Sequence, residues 1–190
     1  SQNEIVAANK GTTIRLTIDR DVQWVASKAI QEAVSNARAV SGTVIVMDPK
    51  TGHILAHATA PTFDPNNTKN VSPALMRNPS VQDVYEPGST GKVMTLAAAL
   101  EEKKITPETV LTVPYSIKRG GDTFHDHERH PVQQLTTSGI LAVSSNTGTI
   151  QIGEMLSNNS LHDYHTNFGI GTSTGSGLPG ESAGLFRPVS

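Results

Sequence analysis

The sequence predicts an α+β fold, and three observations along the chain support this. Apolar residues recur at helical spacing over residues 19–40, two short β-type runs then flank a Pro/Gly connector, and mostly helical stretches follow. A helix, then a hairpin, then mainly helices is an element order typical of α+β proteins. The chain has 190 residues, of which 36% are hydrophobic and 17% charged, which is enough for one globular domain with a substantial core.

The first predicted element is an amphipathic helix over residues 19–40. Asp19 or Asp21 is expected to cap its start, because a carboxylate there accepts hydrogen bonds from the unpaired N–H groups of the first turn. Trp24, the single tryptophan, is expected to pack against neighbouring elements. The apolar face that defines the helix consists of Val22, Val25, Ala26, Ala29, Ile30, Ala33, Val34 and Ala37.

A hairpin and a long irregular segment follow this helix. Residues 43–47 and 53–59 are short β-type runs, and the connector between them contains Pro49 and Gly52, which favour a tight turn. Residues 60–87 are polar and contain several prolines, so we expect an extended loop that delivers the chain to Ser89.

The second half of the sequence is predicted to be mainly helical. A helix should follow Ser89 and end near residue 103, before Pro107, and short strands or loops should occupy residues 110–121. A helical stretch is expected from Leu135 to Ser144, followed by helices over residues 146–156 and 161–168. The chain then ends in a glycine-rich segment.

Composition excludes several classes of function. The net charge of −2 and the absence of any long Lys/Arg run give no basic surface for nucleic acid. The lack of cysteine excludes disulfides, thiolate catalysis and cysteine-based zinc sites. No run of about 18 apolar residues spans a bilayer, and no signal peptide is visible. We therefore expect the chain to be an excerpt whose membrane anchor and C-terminal part lie elsewhere.

The pattern Ser89-Thr90-Gly91-Lys92 is the strongest indication of chemistry. A serine and a lysine three residues apart, where a turn opens into an apolar helix, place a hydroxyl and an amine on one face. This arrangement suits a nucleophile beside its own base, provided that burial lowers the pKa of Lys92 from about 10.4 toward neutrality. The structural alternative is that Ser89 is a helix cap and Lys92 is a solvated surface residue.

A second motif, Ser144-Ser145-Asn146, begins 55 residues after Ser89. An S-x-x-K followed by an S-x-N is the pattern of penicillin-recognising serine enzymes. From about Gly11 to Arg187 the chain resembles the class B penicillin-binding proteins, which are peptidoglycan D,D-transpeptidases. The segments that carry the resemblance are Tyr85-Glu86-Pro87-Gly88-Ser89-Thr90-Gly91-Lys92, Val143-Ser144-Ser145-Asn146-Thr147-Gly148, Phe168-Gly169-Ile170-Gly171 and Leu178-Pro179-Gly180-Glu181.

The resemblance implies a penicillin-binding-protein fold, related to serine β-lactamases, with an antiparallel sheet flanked by helices. It implies that Ser89 is the nucleophile and Lys92 its general base. Ser144 would pass a proton to the leaving amine, and the Asn146 amide would bind the substrate backbone and Lys92. An alternative reading of Ser144 to Asn146 is a cap for the next helix, and the two readings are compatible.

The same resemblance implies the substrates and partners. These are peptidoglycan stem peptides, β-lactam antibiotics, a membrane glycan polymerase and proteins of the divisome or elongasome, with no cofactor and no nucleic acid. The catalytic domain would lie outside the cytoplasmic membrane. Two alternatives remain open for the same fold, namely a β-lactam-hydrolysing enzyme and a β-lactam-sensing or catalytically silent domain.

We expect the family's third motif, a K-T/S-G on an edge strand, to be missing from this sequence and to lie beyond residue 190. Ser173-Thr174-Gly175 is a poor match, because it lies in a Gly/Ser/Thr-rich loop with no β-branched run around it. We therefore expect an incomplete transpeptidase domain that is labelled weakly or not at all by penicillin when isolated. One such domain is expected to occupy residues 1–190.

Two further groups are functional candidates. The cluster from His125 to His130 contains ligand chemistry, but the spacing of its histidines lacks the helical H-E-x-x-H geometry, so a polar loop near the cleft is favoured over a metal site. Glu181 invites comparison with the carboxylate that activates water in β-lactamases, and is predicted instead to be a structural loop residue.

Overall fold

The computed structural model of the protein describes residues 10–189. The chain divides into two compact units, of which the first ends at Gln82 and the second begins at Asp83. In the described residues, no helix combines the length and the apolar character that crossing a bilayer requires.

The first unit consists of a helix packed on an antiparallel hairpin. Helix α1 (Arg20–Ala37) precedes strands β1 (Gly42–Met47) and β2 (Ile54–Ala60), which pair from Gly42 opposite Ala60 to Met47 opposite Ile54. The helix and hairpin predictions are therefore confirmed, with the helix about one turn shorter at its C-terminal end than expected. The segment after the hairpin is largely irregular, as predicted, and contains a 3-10 turn at Pro73–Met76 and a short helix, α2 (Pro79–Gln82).

The start of α1 is fixed by an acidic cap. The Asp19 carboxylate accepts hydrogen bonds from the backbone N–H groups of Asp21 and Val22, both at 3.0 Å. Asp19 is thus the capping residue of the two that the sequence offered. The helix ends at Ala37, and the capping residue Arg38 adopts a left-handed conformation with φ of 51° and donates its N–H back to the last turn.

Small side chains let α1 lie close to the hairpin. A Cβ added to Gly42 would lie 2.6 Å from the Ile30 Cδ1 atom and 2.8 Å from the Val34 Cγ2 atom, so any larger residue here would force these side chains of α1 to shift. Trp24 was expected to pack in this region, and that expectation is wrong. It is 61% exposed and makes a cation–π contact with Lys28. The core of the unit is formed by Ala26, Ile30, Ala56, Ala58 and Ala60.

The second unit contains most of the helices and two short strand pairs. A 3-10 turn at Gly88–Gly91 leads into the helix that follows. The four strands form two antiparallel pairs, Val110–Val113 with Gln133–Thr136 and Ser116–Arg119 with Asp122–His125. The elements in order are α3 (Lys92–Glu101), β3 (Val110–Val113), β4 (Ser116–Arg119), β5 (Asp122–His125), β6 (Gln133–Thr136), α4 (Thr137–Ala142), α5 (Asn146–Gly153) and α6 (Asn158–Asn167).

One predicted boundary in this unit is wrong. Leu135 was expected to begin a helix, but it lies in β6 opposite Leu111 of β3, and α4 begins only at Thr137. Thr136 explains the change, because its hydroxyl accepts the Gly139 N–H at 3.0 Å and so caps the helix. The other helices of the second half lie within about one turn of their predicted bounds.

Helices α3, α5 and α6 enclose the larger core. Ile140, Ile152 and Val113 are fully buried, so each contributes its whole side chain to this core. Burial of a side chain of this size stabilises a fold by about 1.5–3 kcal/mol relative to exposure. The core residues are Leu96, Ala98, Ala99, Ile105, Leu111, Val113, Ile140, Ile152 and Leu156.

Candidate active site

Ser89 lies in a tight turn that leads directly into α3. Gly88 has a φ of 60°, a left-handed conformation that glycine adopts without steric cost. The Thr90 hydroxyl donates to the carbonyl of Pro87 at 2.5 Å and closes the turn. Ser89 is exposed, and its hydroxyl forms no hydrogen bond with any residue between 10 and 189. The turn therefore presents this hydroxyl without a competing partner.

The Lys92 side chain extends toward the second motif. Its amine nitrogen Nζ lies 2.5 Å from the carbonyl oxygen of Ser144 and 2.9 Å from the Ser144 hydroxyl oxygen. The two residues are 52 positions apart, so the fold brings the two sequence motifs together. Burial lowers the pKa of Lys92 from its ordinary value, while the negative charge of Asp126 opposes this effect.

Ser144 occupies an unusual backbone conformation between α4 and α5. Its φ is 56°, in the left-handed region that side-chain-bearing residues adopt at a cost of about 1–3 kcal/mol. Both its carbonyl and its hydroxyl oxygen contact Lys92. The conformation thus directs two oxygen atoms of one residue at the same amine.

Ser145 and Asn146 have different roles from each other in the structure. Ser145 is almost fully buried, and its hydroxyl caps α5 by accepting the Gly148 N–H at 2.9 Å. Ser145 is thus the residue of this motif that caps the following helix, as the alternative reading of the motif expects. The Asn146 amide Nδ2 donates to the carbonyl of His125 at 2.9 Å. The expected bond from Asn146 to Lys92 is not formed among the described residues.

A buried carboxylate that the sequence reasoning missed lies directly behind the second motif. Asp126 is 6% exposed, and it accepts hydrogen bonds from the Ser145 hydroxyl at 2.8 Å and the Thr147 N–H at 2.9 Å. His130 Nε2 lies 3.0 Å from the same carboxylate. Burial alone would raise the pKa of Asp126, but these donors together lower it below its ordinary value. Asp126 is therefore an anion in the folded protein at neutral pH.

The histidine-rich loop around Asp126 packs as a polar and aromatic cluster. Tyr115 stacks on His125 with ring centroids 5.6 Å apart and meets His130 edge-on at 5.9 Å. Arg129 lies over the Tyr115 ring at 5.8 Å. Between residues 10 and 189, no three His, Asp or Glu side chains converge as metal ligands would.

Glu181 organises the glycine-rich segment near the end of the chain. Its carboxylate accepts hydrogen bonds from the Thr174 hydroxyl and N–H at 2.5 and 2.7 Å and from the Ser173 hydroxyl at 2.8 Å. These donors, Thr174 foremost, lower the pKa of Glu181 to about 2. The prediction that Glu181 and Ser173-Thr174-Gly175 belong to a loop is confirmed. So acidic a carboxylate is also a weak base.

The letters K-T-G do occur ahead of Ser89, at Lys50, Thr51 and Gly52. The structure places this triplet in the turn between β1 and β2. The Asp48 carboxylate accepts the Lys50 N–H and the Thr51 hydroxyl there, both at 2.9 Å, and Gly52 has a φ of 72°. Its geometry is that of a hairpin turn and not of an edge strand.

The first unit also contains an open cavity of about 510 Å³. Its lining is mixed, with His57 and Asn78 beside apolar groups such as Phe63 and Leu75. None of the residues of the two motifs lines this cavity.

The sequence matches the model of the penicillin binding protein transpeptidase domain over residues 42–189. The chain belongs to this family. The transpeptidase domain is 39% identical to penicillin-binding protein PbpB of Mycobacterium tuberculosis over 180 residues, which is 94% of this chain and 26% of the relative. It is 36% identical to peptidoglycan D,D-transpeptidase FtsI of Escherichia coli over 91% of this chain and 29% of the relative.

Solved structures give the same result for the fold. The apo form of penicillin binding protein 3 from Mycobacterium tuberculosis superposes with a TM-score of 0.89 at 38% identity, over 98% of this chain and 42% of that chain. The same protein complexed with ampicillin gives a TM-score of 0.89 over 98% of this chain and 41% of that chain. The predicted α+β transpeptidase fold is therefore confirmed. The chain spans under a third of the length of the two curated relatives named above.

Proposed function

We propose that the protein is a peptidoglycan D,D-transpeptidase that acts through an acyl-enzyme on Ser89. The observation that carries this proposal is the contact of Lys92 Nζ with Ser144, which joins the S-x-x-K and S-x-N motifs beside an exposed serine. A scattered pair of motifs that matched by chance would not converge in this way. Relatives named peptidoglycan D,D-transpeptidase supply the reaction class.

The proposed reaction begins with attack of the Ser89 hydroxyl oxygen on the carbonyl carbon between the two terminal D-alanines of a stem peptide. Lys92 accepts the hydroxyl proton as the new C–O bond forms, which its lowered pKa favours at neutral pH. The peptide C–N bond then breaks, and the departing amine of D-alanine receives a proton through Ser144. An acyl ester on Ser89 remains.

The second half of the proposed reaction transfers the acyl group to an amine. The amine of a neighbouring stem peptide attacks the ester, loses its proton to the Lys92 and Ser144 pair, and releases the Ser89 hydroxyl. The backbone N–H of Ser89, in the 3-10 turn at Gly88–Gly91, would stabilise the negative charge that develops on the carbonyl oxygen of the substrate. Asn146 would hold the substrate backbone.

The proposal extends to ligands, partners and location. The similar penicillin binding protein 3 structures are complexed with aztreonam and with ampicillin, and we infer that β-lactams acylate Ser89 of this chain in place of the stem peptide. From membership of the transpeptidase family we infer a membrane glycan polymerase and divisome or elongasome proteins as partners. We also infer that the catalytic domain lies on the outer side of the cytoplasmic membrane.

Intact mass spectrometry after incubation with benzylpenicillin tests the proposal. We expect one adduct, with the full mass of the penicillin added, in the longest natural chain that contains these residues. Ser89→Ala should abolish the adduct, whereas Ser35→Ala, at an exposed serine of α1, should leave it unchanged. Lys92→Gln should slow acylation by about 10²–10⁴-fold, which is the usual contribution of a general base.

Two outcomes would contradict the proposal. An adduct that persists in Ser89→Ala would exclude Ser89 as the nucleophile. Rapid loss of the adduct with turnover of nitrocefin would favour a β-lactam-hydrolysing enzyme. Exchange of a terminal D-alanine for a labelled D-amino acid in a stem-peptide substrate separates a transpeptidase from a β-lactam sensor, because a sensor acylates without transfer.

A further inference from the structure

The loop that contains Asp126 contacts three consecutive residues at the start of α5. The Asp126 carboxylate accepts the hydroxyl of Ser145 and the N–H of Thr147, which flank Asn146, at 2.8 and 2.9 Å. The Asn146 side chain itself donates to the carbonyl of His125. His125, the last residue of β5, and Asp126 thus hold the cap of α5 and its first two residues.

These contacts determine which way the Asn146 amide points. Because Nδ2 donates to the His125 carbonyl at 2.9 Å, the Oδ1 atom is the remaining acceptor of the same amide. A substrate N–H group would meet that acceptor. Displacement of the loop would therefore change both the position of Asn146 and the polarity that it offers.

His130 also supports the Asp126 carboxylate. Its Nδ1 lies 2.7 Å from the carbonyl oxygen of Pro131, and its Nε2 lies 3.0 Å from the Asp126 carboxylate. Both partners are acceptors only, so both ring nitrogens must carry a proton for both hydrogen bonds to form. The geometry assigns His130 as an imidazolium that is ion-paired with Asp126.

We propose that the Asp126–His130 ion pair is the positioning element of the second motif, fixing Ser145, Asn146 and Thr147 and placing a negative charge within range of Lys92. This inference rests on the proposed function, and it names residues that neither touch the reacting atoms nor belong to the two motifs. A carboxylate at this place also complements the N-terminus of α5, where unpaired N–H groups and the helix dipole favour negative charge.

The protonation states follow from the same contacts. Donation to Pro131 and then to Asp126 raises the pKa of His130 above its ordinary value, and hydrogen bonds lower the pKa of Asp126. The ion pair is therefore complete between these two pKa values. It is lost as the pH rises through the pKa of His130 or falls through that of Asp126. Three other titratable groups lie around the pair: Tyr115 meets the His130 ring edge-on, the His125 Nδ1 atom lies 2.9 Å from the Asp126 carbonyl oxygen, and Lys92 of α3 feels the Asp126 charge. Arg129 lies over the Tyr115 ring of this cluster.

Penicillin acylation of four variants tests the proposal. Asp126→Asn keeps the side-chain shape and removes the charge, and His130→Gln keeps a donor near the Nε2 position and removes the titration. Glu128→Gln and His127→Gln are matched controls, because both residues are exposed in the same loop. We expect Asp126→Asn to lower the acylation rate constant about 10²-fold, as small misplacements of reacting groups do, with a smaller fall in His130→Gln. Both controls should match the wild type.

The pH profile distinguishes positioning with charge from a purely structural role. On the acid side of the pH profile, the acylation rate rises as Lys92 loses its proton, and the Asp126 charge raises the pKa of Lys92. We call this part of the profile the acid limb. Asp126→Asn should therefore move the acid limb to lower pH, whereas Glu128→Gln should leave it in place. A structural defect alone would lower the rate equally at all pH values. Nitrogen NMR of the labelled protein should show both ring nitrogens of His130 protonated at about pH 6.5, the ordinary pKa of a histidine.

Three results would overturn the inference. They are acylation rates for Asp126→Asn and His130→Gln that equal those of their controls, an acid limb that does not move, and a neutral His130 ring under the same NMR conditions. Asp126→Asn is preferred to alanine because it fills the same volume and still accepts the Thr147 N–H. If Ser89→Ala retains the adduct, the proposed function fails instead, so the two failures are separable.

Discussion

Gly148 offers a direct test of how closely α4 and α5 pack behind the second motif. An added Cβ would lie 2.9 Å from both Cγ1 and Cγ2 of Ile140 and 3.1 Å from its Cδ1 atom. Ile140 is fully buried, so its β-branched side chain has no solvent-facing space into which it can rotate. Gly148→Ala should therefore strain this contact.

Two effects of opposite sign decide how much Gly148→Ala changes the free energy of unfolding. Alanine is more favourable than glycine in a helix by about 1 kcal/mol, which would stabilise α5. Insertion of a methyl group into a packed core costs about 1–3 kcal/mol, and three close contacts with one rigid side chain place this site at the upper end. We expect Gly148→Ala to lower the free energy of unfolding by about 2 kcal/mol.

Urea unfolding followed by far-ultraviolet circular dichroism measures this difference, and the same helix provides a control. A Cβ on Gly153 would lie 3.5 Å from the Thr95 Cγ2 atom, an ordinary contact, so Gly153→Ala should be neutral or stabilising by up to about 1 kcal/mol. In the Ile140→Ala background the clash disappears, and Gly148→Ala should no longer destabilise. A wild-type midpoint for Gly148→Ala alone would refute the packing argument.

Two other substitutions probe single contacts. Asp19→Ala removes the cap of α1 and should lower the free energy of unfolding in urea by about 1 kcal/mol. Asp21→Ala should lower it less, because the Asp21 carboxylate contacts the exposed Arg20 instead. Equal losses of stability would contradict the assignment of Asp19 as the cap. Glu181→Gln should speed hydrogen exchange of the Thr174 N–H at neutral pH. The pKa of Glu181 is lowered from 4.5 to about 2, so the wild-type protection of the Thr174 N–H should persist above pH 4.5 and fade as the pH falls through about 2. Unchanged protection at about pH 2 would show that the ionised Glu181 carboxylate is not what protects this N–H.

Local features of this fold were predictable from the sequence. The cap at Asp19, the helix after it and the hairpin that follows depend on residues near each other in the chain, so their signals are complete within a short window. The S-x-x-K and S-x-N motifs were recognisable for the same reason. The resemblance predicts that the two motifs meet through Asn146 and Lys92, whereas the contact in the structure is between Lys92 and Ser144.

Features that depend on distant residues were harder to predict. Leu135 lies in a strand because it pairs with Leu111, and no local pattern announces that partner. Asp126 was grouped with its neighbouring histidines, since only the fold brings it to Ser145, 19 residues later. An available signal was the start of a helix at Asn146, whose unpaired N–H groups attract an anion.

At position 144, the residue that would give the most stable fold differs from the residue that the proposed reaction needs. The left-handed backbone of Ser144 would suit glycine better, and glycine would keep the carbonyl that Lys92 contacts while losing the hydroxyl. A library screened only for heat resistance should therefore enrich glycine here and discard the proton carrier that the proposed reaction needs. Engineering of this domain should hold position 144 constant and seek robustness elsewhere.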